Sequence, residues 1–152
     1  MLFPLYFQNK MSLSKIYFFT ENIPLNLKHK RKIRHWIFET IKKEQKMTGN
    51  INFIFCNDSY LLKINKQFLN KDTLTDVIAF DYCENNIVSG DIYISYERVT
   101  ENAKNFKSSA EKEVHRIIIH GVLHLTGYQD KTDMAKQKMK IKEDEYLKNL
   151  II

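Results

Sequence analysis

The chain has 152 residues with a net charge of +6, and 43% of its residues are hydrophobic. This length and balance indicate one compact domain over residues 1–152 with a buried core, and they exclude a largely disordered chain. Two cysteines outside any CxxC pair, with no signal-like segment, predict free thiols and a cytoplasmic protein without a membrane span. The apolar residues 1–10 are expected to be a disordered leader or a mis-assigned start, since Met11 follows.

Hydrophobic periodicity and turn residues predict an alternating order of strands and helices. In chain order the predicted elements are a strand over 15–19, a helix over 27–47 stopped by Gly49 and Asn50, a strand over 51–56, a helix from Asn57 or Asp58 to about Phe68, strands over 76–80 and 90–95, and helices over 110–126 and 133–149. The first strand, helix and strand predict a parallel pair, and the two later strands predict an antiparallel hairpin.

The helix over 110–126 is the distinctive element, because its segment IIIHGVLHL is apolar nearly all round. Such a helix is expected to be central and buried, and Ser108 and Glu111 have the spacing of a capping box at its start. The predicted fold class is therefore α+β, with a single mixed sheet of about four strands, helices packed on it, and this helix at the centre.

Between Lys28 and Lys46 there are eight basic residues against two acidic ones, so this segment alone equals the net charge of the chain. The basic side chains, among them Arg31 and Lys32, fall on the predicted solvent face of the helix. A basic stripe of this kind suits a polyanion such as nucleic acid. A solvated helix face without a partner is an equally good interpretation of the charge pattern alone.

The stretch HGVLHLTGYQD contains the residues with the clearest chemistry. His120 and His124 are four residues apart, about 40° apart on one helix face, so both imidazoles can reach one divalent ion. Gly127 suits a left-handed turn after the helix, which can return Asp130 to the same ion. Three such ligands leave zinc an open position for a catalytic water. Capping of the last helix is nearly as good an explanation of Asp130 on spacing alone.

Gly121 stands where H-E-x-x-H metalloproteases carry a glutamate, which disfavours a protease. Glycine inside a helix costs about 1 kcal/mol relative to alanine, so Gly121 is expected to allow close packing. His115 lies about 140° round the helix from His120 and is expected to be a surface or packing residue.

The same stretch resembles the signature H-G-x-L-H-L-x-G-Y-D-H of the YbeY endoribonucleases and matches it through Tyr128. Two further segments are similar to that family: KDTLTDVIAF to its K-D-x-x-T-D-V-L-S-F block, and GDIYIS followed by ENA to its G-D-I segment and following helix. The resemblance covers roughly residues 50–146. It implies a metal-dependent, single-strand-specific endoribonuclease acting in 16S rRNA 3′ end maturation and ribosome quality control.

The resemblance also implies one zinc ion per chain, held at His120, His124 and the position of Asp130, where the family has a third histidine. A carboxylate there makes the bound water less acidic and makes Mn²⁺ or Fe²⁺ more plausible beside zinc. Gln129 replaces a family aspartate, and Leu69 replaces an arginine associated with RNA. The metal-bound water is the expected nucleophile, and no residue is singled out as the general base.

With leucine at position 69, phosphate contacts are expected from other basic residues. The candidates are Lys66, Lys71, Arg98, Arg116 and, on the basic helix, Arg31 and Lys32. Asp76 is expected to orient a metal ligand or to contact substrate, with local turn chemistry as the alternative. Turn chemistry is the preferred explanation of Asp91.

The expected partners are rRNA and the ribosomal small subunit, with no membrane contact and no small-molecule cofactor. The alternative function is a ribosome-assembly RNA-binding protein with a structural metal and little nuclease activity. A hydrolase with another substrate would have a deep closed pocket instead of an open basic groove.

Overall fold

The computed structural model describes residues 15–152, so the expectations about residues 1–10 lie outside the described part. This part contains four strands and five helices. Their bounds in chain order are β1 (Ile16–Thr20), α1 (Lys30–Lys43), β2 (Met47–Cys56), α2 (Asp58–Leu69), β3 (Val77–Asp81), β4 (Ile87–Ser95), α3 (Tyr96–Asn105), α4 (Ala110–Thr126) and α5 (Asp133–Leu147).

The strands form one mixed sheet in the order β1-β2-β4-β3. β1 runs parallel to β2 and β2 runs parallel to β4, whereas β3 pairs with β4 in an antiparallel hairpin. The predicted α+β class, the parallel first pair and the hairpin are therefore confirmed. β3 and β1 are the two edge strands of the sheet, and β3 is the edge nearer to α4. Among the described helices, none combines the length and apolar character that a membrane crossing requires.

The boundaries of the first helix were predicted wrongly. α1 begins at Lys30 and ends at Lys43, because Gln45 takes a left-handed backbone conformation with φ 60° and reverses the chain. Gly49 and Asn50, which were expected to stop the helix, lie inside β2. The apolar side of α1 is buried as expected, and its buried residues are Ile33, Trp36, Ile37, Thr40 and Ile41.

The predicted element order lacked α3, although the family resemblance implied a helix after GDIYIS. Ser95 is both the last residue of β4 and the N-cap of α3. Its hydroxyl accepts a hydrogen bond from the amide of Arg98 at 3.3 Å. The predicted capping box was also misplaced by one residue. Ser109, and not Ser108, caps α4 by accepting from the amide of Lys112 at 3.1 Å.

α4 is the central helix, and its inward residues are almost completely buried. A Cβ atom at Gly121 would lie 2.8 Å from Cγ2 of Ile92 on β4, so only glycine lets the helix approach the sheet this closely. This contact confirms the packing role expected for Gly121. Both cysteines are free, and Cys56 is buried in the core.

Candidate metal centre

The last two turns of α4 and the loop after it bring three polar side chains together. Nε2 of His124 lies 3.0 Å from Nε2 of His120 and 3.2 Å from Oδ2 of Asp130. The remaining distance, from His120 to Asp130, is 3.5 Å. Gly127 caps the helix in a left-handed conformation with φ 114°, which turns the chain back as the sequence predicted. These three residues form a group that could hold a metal ion.

Hydrogen bonds on the other side of each imidazole fix which nitrogen carries the proton. Nδ1 of His124 donates to the carbonyl oxygen of Tyr128 at 2.9 Å, and Nδ1 of His120 donates to the carboxylate of Glu143 at 3.2 Å. With Nδ1 as the donor in each ring, the Nε2 atoms are the ones available to bind a metal ion. Two imidazole nitrogens and a carboxylate oxygen thus converge on one point, an arrangement that a cation between the atoms would stabilise.

The donor set fits a divalent transition metal. A tetrahedral zinc ion with ligands at about 2.0–2.1 Å holds its ligand atoms about 3.3 Å apart, close to the three distances here. Burial and the neighbouring His120 ring lower the pKa of His124, which favours the neutral imidazole that binds metal. His120, His124 and Asp130 therefore have the chemistry and the spacing of metal ligands.

Glu143 on α5 supports this centre and was not identified from the sequence. It is only 6% exposed, and it accepts hydrogen bonds from His120 and, at 2.7 Å, from Nη1 of Arg116. Burial alone would raise the pKa of Glu143, but the hydrogen bonds from His120 and Arg116 lower it overall. The sequence offered one signal for this role. Glu143 follows the buried Met139 by four residues, so it falls on the inward face of α5, where a carboxylate needs a partner.

A second support holds the loop that carries Asp130. The hydroxyl of Tyr128 donates to the carboxylate of Glu44 at 3.1 Å, and the hydroxyl of Tyr146 donates to the same group at 2.7 Å. Glu44 thus ties the metal-site loop to α5 at the end of α1.

The metal centre borders an open groove of about 450 Å³. Thr75 and Asp76, together with β3, form one wall, and the residues of the metal centre with Gln129 form the other. Asp76 therefore lies beside the predicted ligands, where its Oδ2 accepts a hydrogen bond of 3.4 Å from Asn102. Asp91 is not part of the groove lining; it accepts a hydrogen bond of 2.9 Å from Asn52 on the neighbouring strand.

Comparison with known proteins agrees with this geometry. A family model described as Endoribonuclease YbeY matches residues 15–151. The chain belongs to the endoribonuclease YbeY family. Proteins of this family are hydrolases that act on RNA, and the sequence signature that indicated the family contains the two histidines of the metal centre.

Two relatives and one solved structure document the similarity. The Endoribonuclease YbeY of Flavobacterium psychrophilum is 51% identical over 130 residues, which cover 86% of this chain and 93% of the relative. The Endoribonuclease YbeY of Cytophaga hutchinsonii is 44% identical over 138 residues, which cover 90% of this chain and 96% of the relative. The solution structure of TM1509 from Thermotoga maritima superposes with a TM-score of 0.63 at 29% identity, covering 89% of this chain and 88% of that one.

The basic residues expected to contact RNA differ in their availability. Arg116 donates to Glu113 at 2.9 Å as well as to Glu143, so its charge is paired inside the protein. Arg98 is held by Asp58 at 3.0 Å. Neither arginine lines the groove.

The remaining basic candidates are exposed. Lys66 pairs with Asp72 at 3.2 Å on the surface, and Lys71 is also exposed. Arg31 and Lys32 line a cavity of about 710 Å³ that lies between α1 and the C-terminal residues of the chain, where Tyr146 and Leu150 also line it. Leu69, at the position where the family usually has arginine, is 42% exposed.

Proposed function

We propose that this protein is a metal-dependent, single-strand-specific endoribonuclease acting in 16S rRNA 3′ end maturation and ribosome quality control. The observation that carries the proposal is the convergence of two imidazole nitrogens and one carboxylate oxygen at the wall of an open groove. Zinc, one ion per chain, is the expected metal, and Mn²⁺ or Fe²⁺ also suits a set with one hard oxygen ligand.

Each residue of the centre has a distinct task in this proposal. His120, His124 and Asp130 hold the ion, while Glu143 and the carbonyl of Tyr128 keep the two imidazoles in the right tautomer and orientation. When bound, the ion supplies Lewis acidity for the attacking water and for the negative charge that develops on the scissile phosphate. The carboxylate of Asp130 reduces the charge of the site relative to a third histidine.

Basic residues outside the metal centre hold the RNA backbone in this proposal. Arg31 and Lys32 on α1, together with Lys66 and Lys71, are exposed cations that can neutralise phosphates. Arg98 and Arg116 serve mainly to pair buried or half-buried carboxylates. The partners proposed for the full reaction are rRNA and the ribosomal small subunit in the cytoplasm.

Cleavage of a single-stranded fragment from the 3′ end of 16S rRNA tests the proposal. We expect metal-loaded wild type to cut the fragment, and we expect His124→Ala and chelated wild type to leave it intact. Lys104→Ala, which changes an exposed residue on α3 that does not line the groove, is the control and should cut like wild type. Equal cleavage by His124→Ala and wild type would contradict catalysis at this centre.

The second candidate is a ribosome-assembly RNA-binding protein whose metal is structural. The observation that favours it is the lining of the groove, which contains carboxylates and neither lysine nor arginine among the described residues. Intact RNA combined with tight binding of the same fragment by metal-loaded protein would support this candidate over the endoribonuclease.

A further inference from the structure

β3 is an edge strand whose free side faces the groove. The amide of Ser95 donates to the carbonyl of Asp76 at 2.9 Å, and the amide of Tyr82 donates to the carbonyl of Ser89 at 2.9 Å. In an antiparallel ladder, hydrogen-bonded positions alternate with positions that point away from the partner strand. With the observed register, the backbone groups of residues 76, 78, 80 and 82 face β4, and those of residues 77, 79 and 81 face outward.

The outward positions are the same β3 residues that line the groove, namely Val77, Ala79 and Asp81. The carbonyl of Val77 accepts a hydrogen bond of 3.3 Å from the hydroxyl of Thr75, which leaves its second lone pair free. Within residues 15–152, the hydrogen bonds outside helices and strands do not involve the amide or the carbonyl of Ala79. The outward amides and carbonyls of Val77, Ala79 and Asp81 therefore lie along the edge that borders the groove.

The side chains around this edge are acceptors rather than cations. Asp76, Asp81 and Asp130 line the groove, and the described lining contains no lysine or arginine. Such a wall repels a phosphate that is not bound to the metal ion, and it attracts a neutral group that carries N–H donors. The volume of about 450 Å³ lies within the range of about 300–1,000 Å³ that is usual for small-molecule pockets.

We infer that the free edge of β3 binds one unpaired base of the RNA beside the cleaved phosphodiester, and that it favours bases with an exocyclic amino group over uracil. The inference rests on the proposed endoribonuclease function. The amide of Ala79 donates to a ring nitrogen of the base, and the carbonyl of Val77 or Ala79 accepts from the amino group. The second amino hydrogen is available to a groove carboxylate.

Uracil fits this edge less well because it offers one ring N–H donor and two carbonyl acceptors. At least one of those carbonyls would face a carboxylate or a backbone carbonyl of the groove. A base inside a duplex cannot bind at all, because its Watson–Crick edge is already occupied. The β3 edge therefore supplies a physical reason for cleaving single strands in preference to duplexes.

Four matched RNAs test the inference. One is a 12-residue oligonucleotide of uridine, and each of the other three carries one central substitution: adenosine, purine riboside without the amino group, or 7-deazaadenosine with an intact Watson–Crick edge. We expect kcat/KM at the substituted position to fall about tenfold from adenosine to purine riboside and to stay unchanged with 7-deazaadenosine, the scale of one or two hydrogen bonds. Equal values for adenosine, purine riboside and uridine would overturn the inference, while cleavage of all three would leave the proposed function intact.

A protein variant tests the same contact from the other side. Ala79→Pro removes an outward amide that the ladder does not use, a change that edge strands tolerate. It should raise KM for the adenosine substrate about tenfold relative to KM for the uridine-only substrate, so that the preference for adenosine is lost. An unchanged KM in Ala79→Pro would contradict the inference.

If Ala79→Pro does not fold, or if no RNA is cut, binding of the oligonucleotides to metal-free wild-type protein tests the inference. In a ¹⁵N NMR titration of chelated protein, the adenosine oligonucleotide should shift the amide resonance of Ala79 and bind more tightly than the all-uridine oligonucleotide. An unshifted Ala79 resonance, or equal affinities, would overturn the inference. Absence of cleavage with selective binding would instead mean that the proposed nuclease function is wrong and the base-binding edge is right.

Discussion

The carboxylate of Glu143 lies 3.2 Å from Nδ1 of His120 and joins this candidate metal ligand on α4 to the core-facing side of α5. The same carboxylate accepts from Arg116, which holds it in the ionised state. This contact sets the tautomer of His120, so that its Nε2 lone pair points towards Asp130 and His124. A residue 23 positions later in the chain thus determines whether His120 can bind a cation.

Glu143→Gln should weaken zinc binding about tenfold or more, the effect typical of losing a carboxylate behind a ligating histidine. A competition titration with a chromophoric chelator measures the affinity. Glu113→Gln is the matched control, because Glu113 is equally buried and bonds Arg116 but makes no hydrogen bond to either histidine of the centre. The same loss of affinity in both variants would mean that the arginine network acts through general stability.

Asp130→Ala should lower the metal content well below one ion per chain, because only the two imidazoles would remain as ligands. Elemental analysis of protein purified without added metal measures this content. Asp133→Ala, three residues further along in the first turn of α5, should keep the wild-type content. Full occupancy in Asp130→Ala would show that this carboxylate is not a ligand.

Tyr128→Phe should cost about 0.5–1.5 kcal/mol of unfolding free energy, as expected for one lost hydrogen bond, and should also weaken metal binding. The second effect is expected because the carbonyl of Tyr128 orients His124, and its hydroxyl anchors the loop to Glu44. Urea denaturation and zinc titration measure the two quantities. Tyr146→Phe loses a bond to the same carboxylate but lies outside the loop, so it should lower stability alone.

Stability should fall as the pH drops below about 6.5, with a contribution from His115 on α4. Burial lowers the pKa of His115, which is 8% exposed, while nearby Glu111 partly opposes the shift. Above the pKa of the unfolded chain the imidazole is neutral in both states. Below it the unfolded chain takes up the proton first, which favours unfolding. The free energy of unfolding of chelated His115→Gln should therefore depend less steeply on pH between 7.5 and 5.5 than that of wild type.

The local pattern was sufficient to predict α4 and the three side chains that meet at its end. The apolar periodicity, the four-residue histidine spacing and Gly127 predicted the bounds of the helix and its left-handed end as observed. These features depend on residues within one or two turns of each other, so helix geometry alone relates them. The ends of α1 and the missing α3 were harder to predict, because Gln45 and Ser95 are weak turn signals outside their tertiary context.

The sequence by itself determined the α+β class, the family, and the two histidines with their aspartate. Only the tertiary structure decided what surrounds them. Glu143, Glu44 and the free edge of β3 come from elements far apart in the chain, and no local periodicity encodes which distant groups will meet. Their roles follow from burial: a carboxylate or backbone amide removed from water must find a partner, and packing of α5 and β3 against α4 makes that partner the metal centre or its groove.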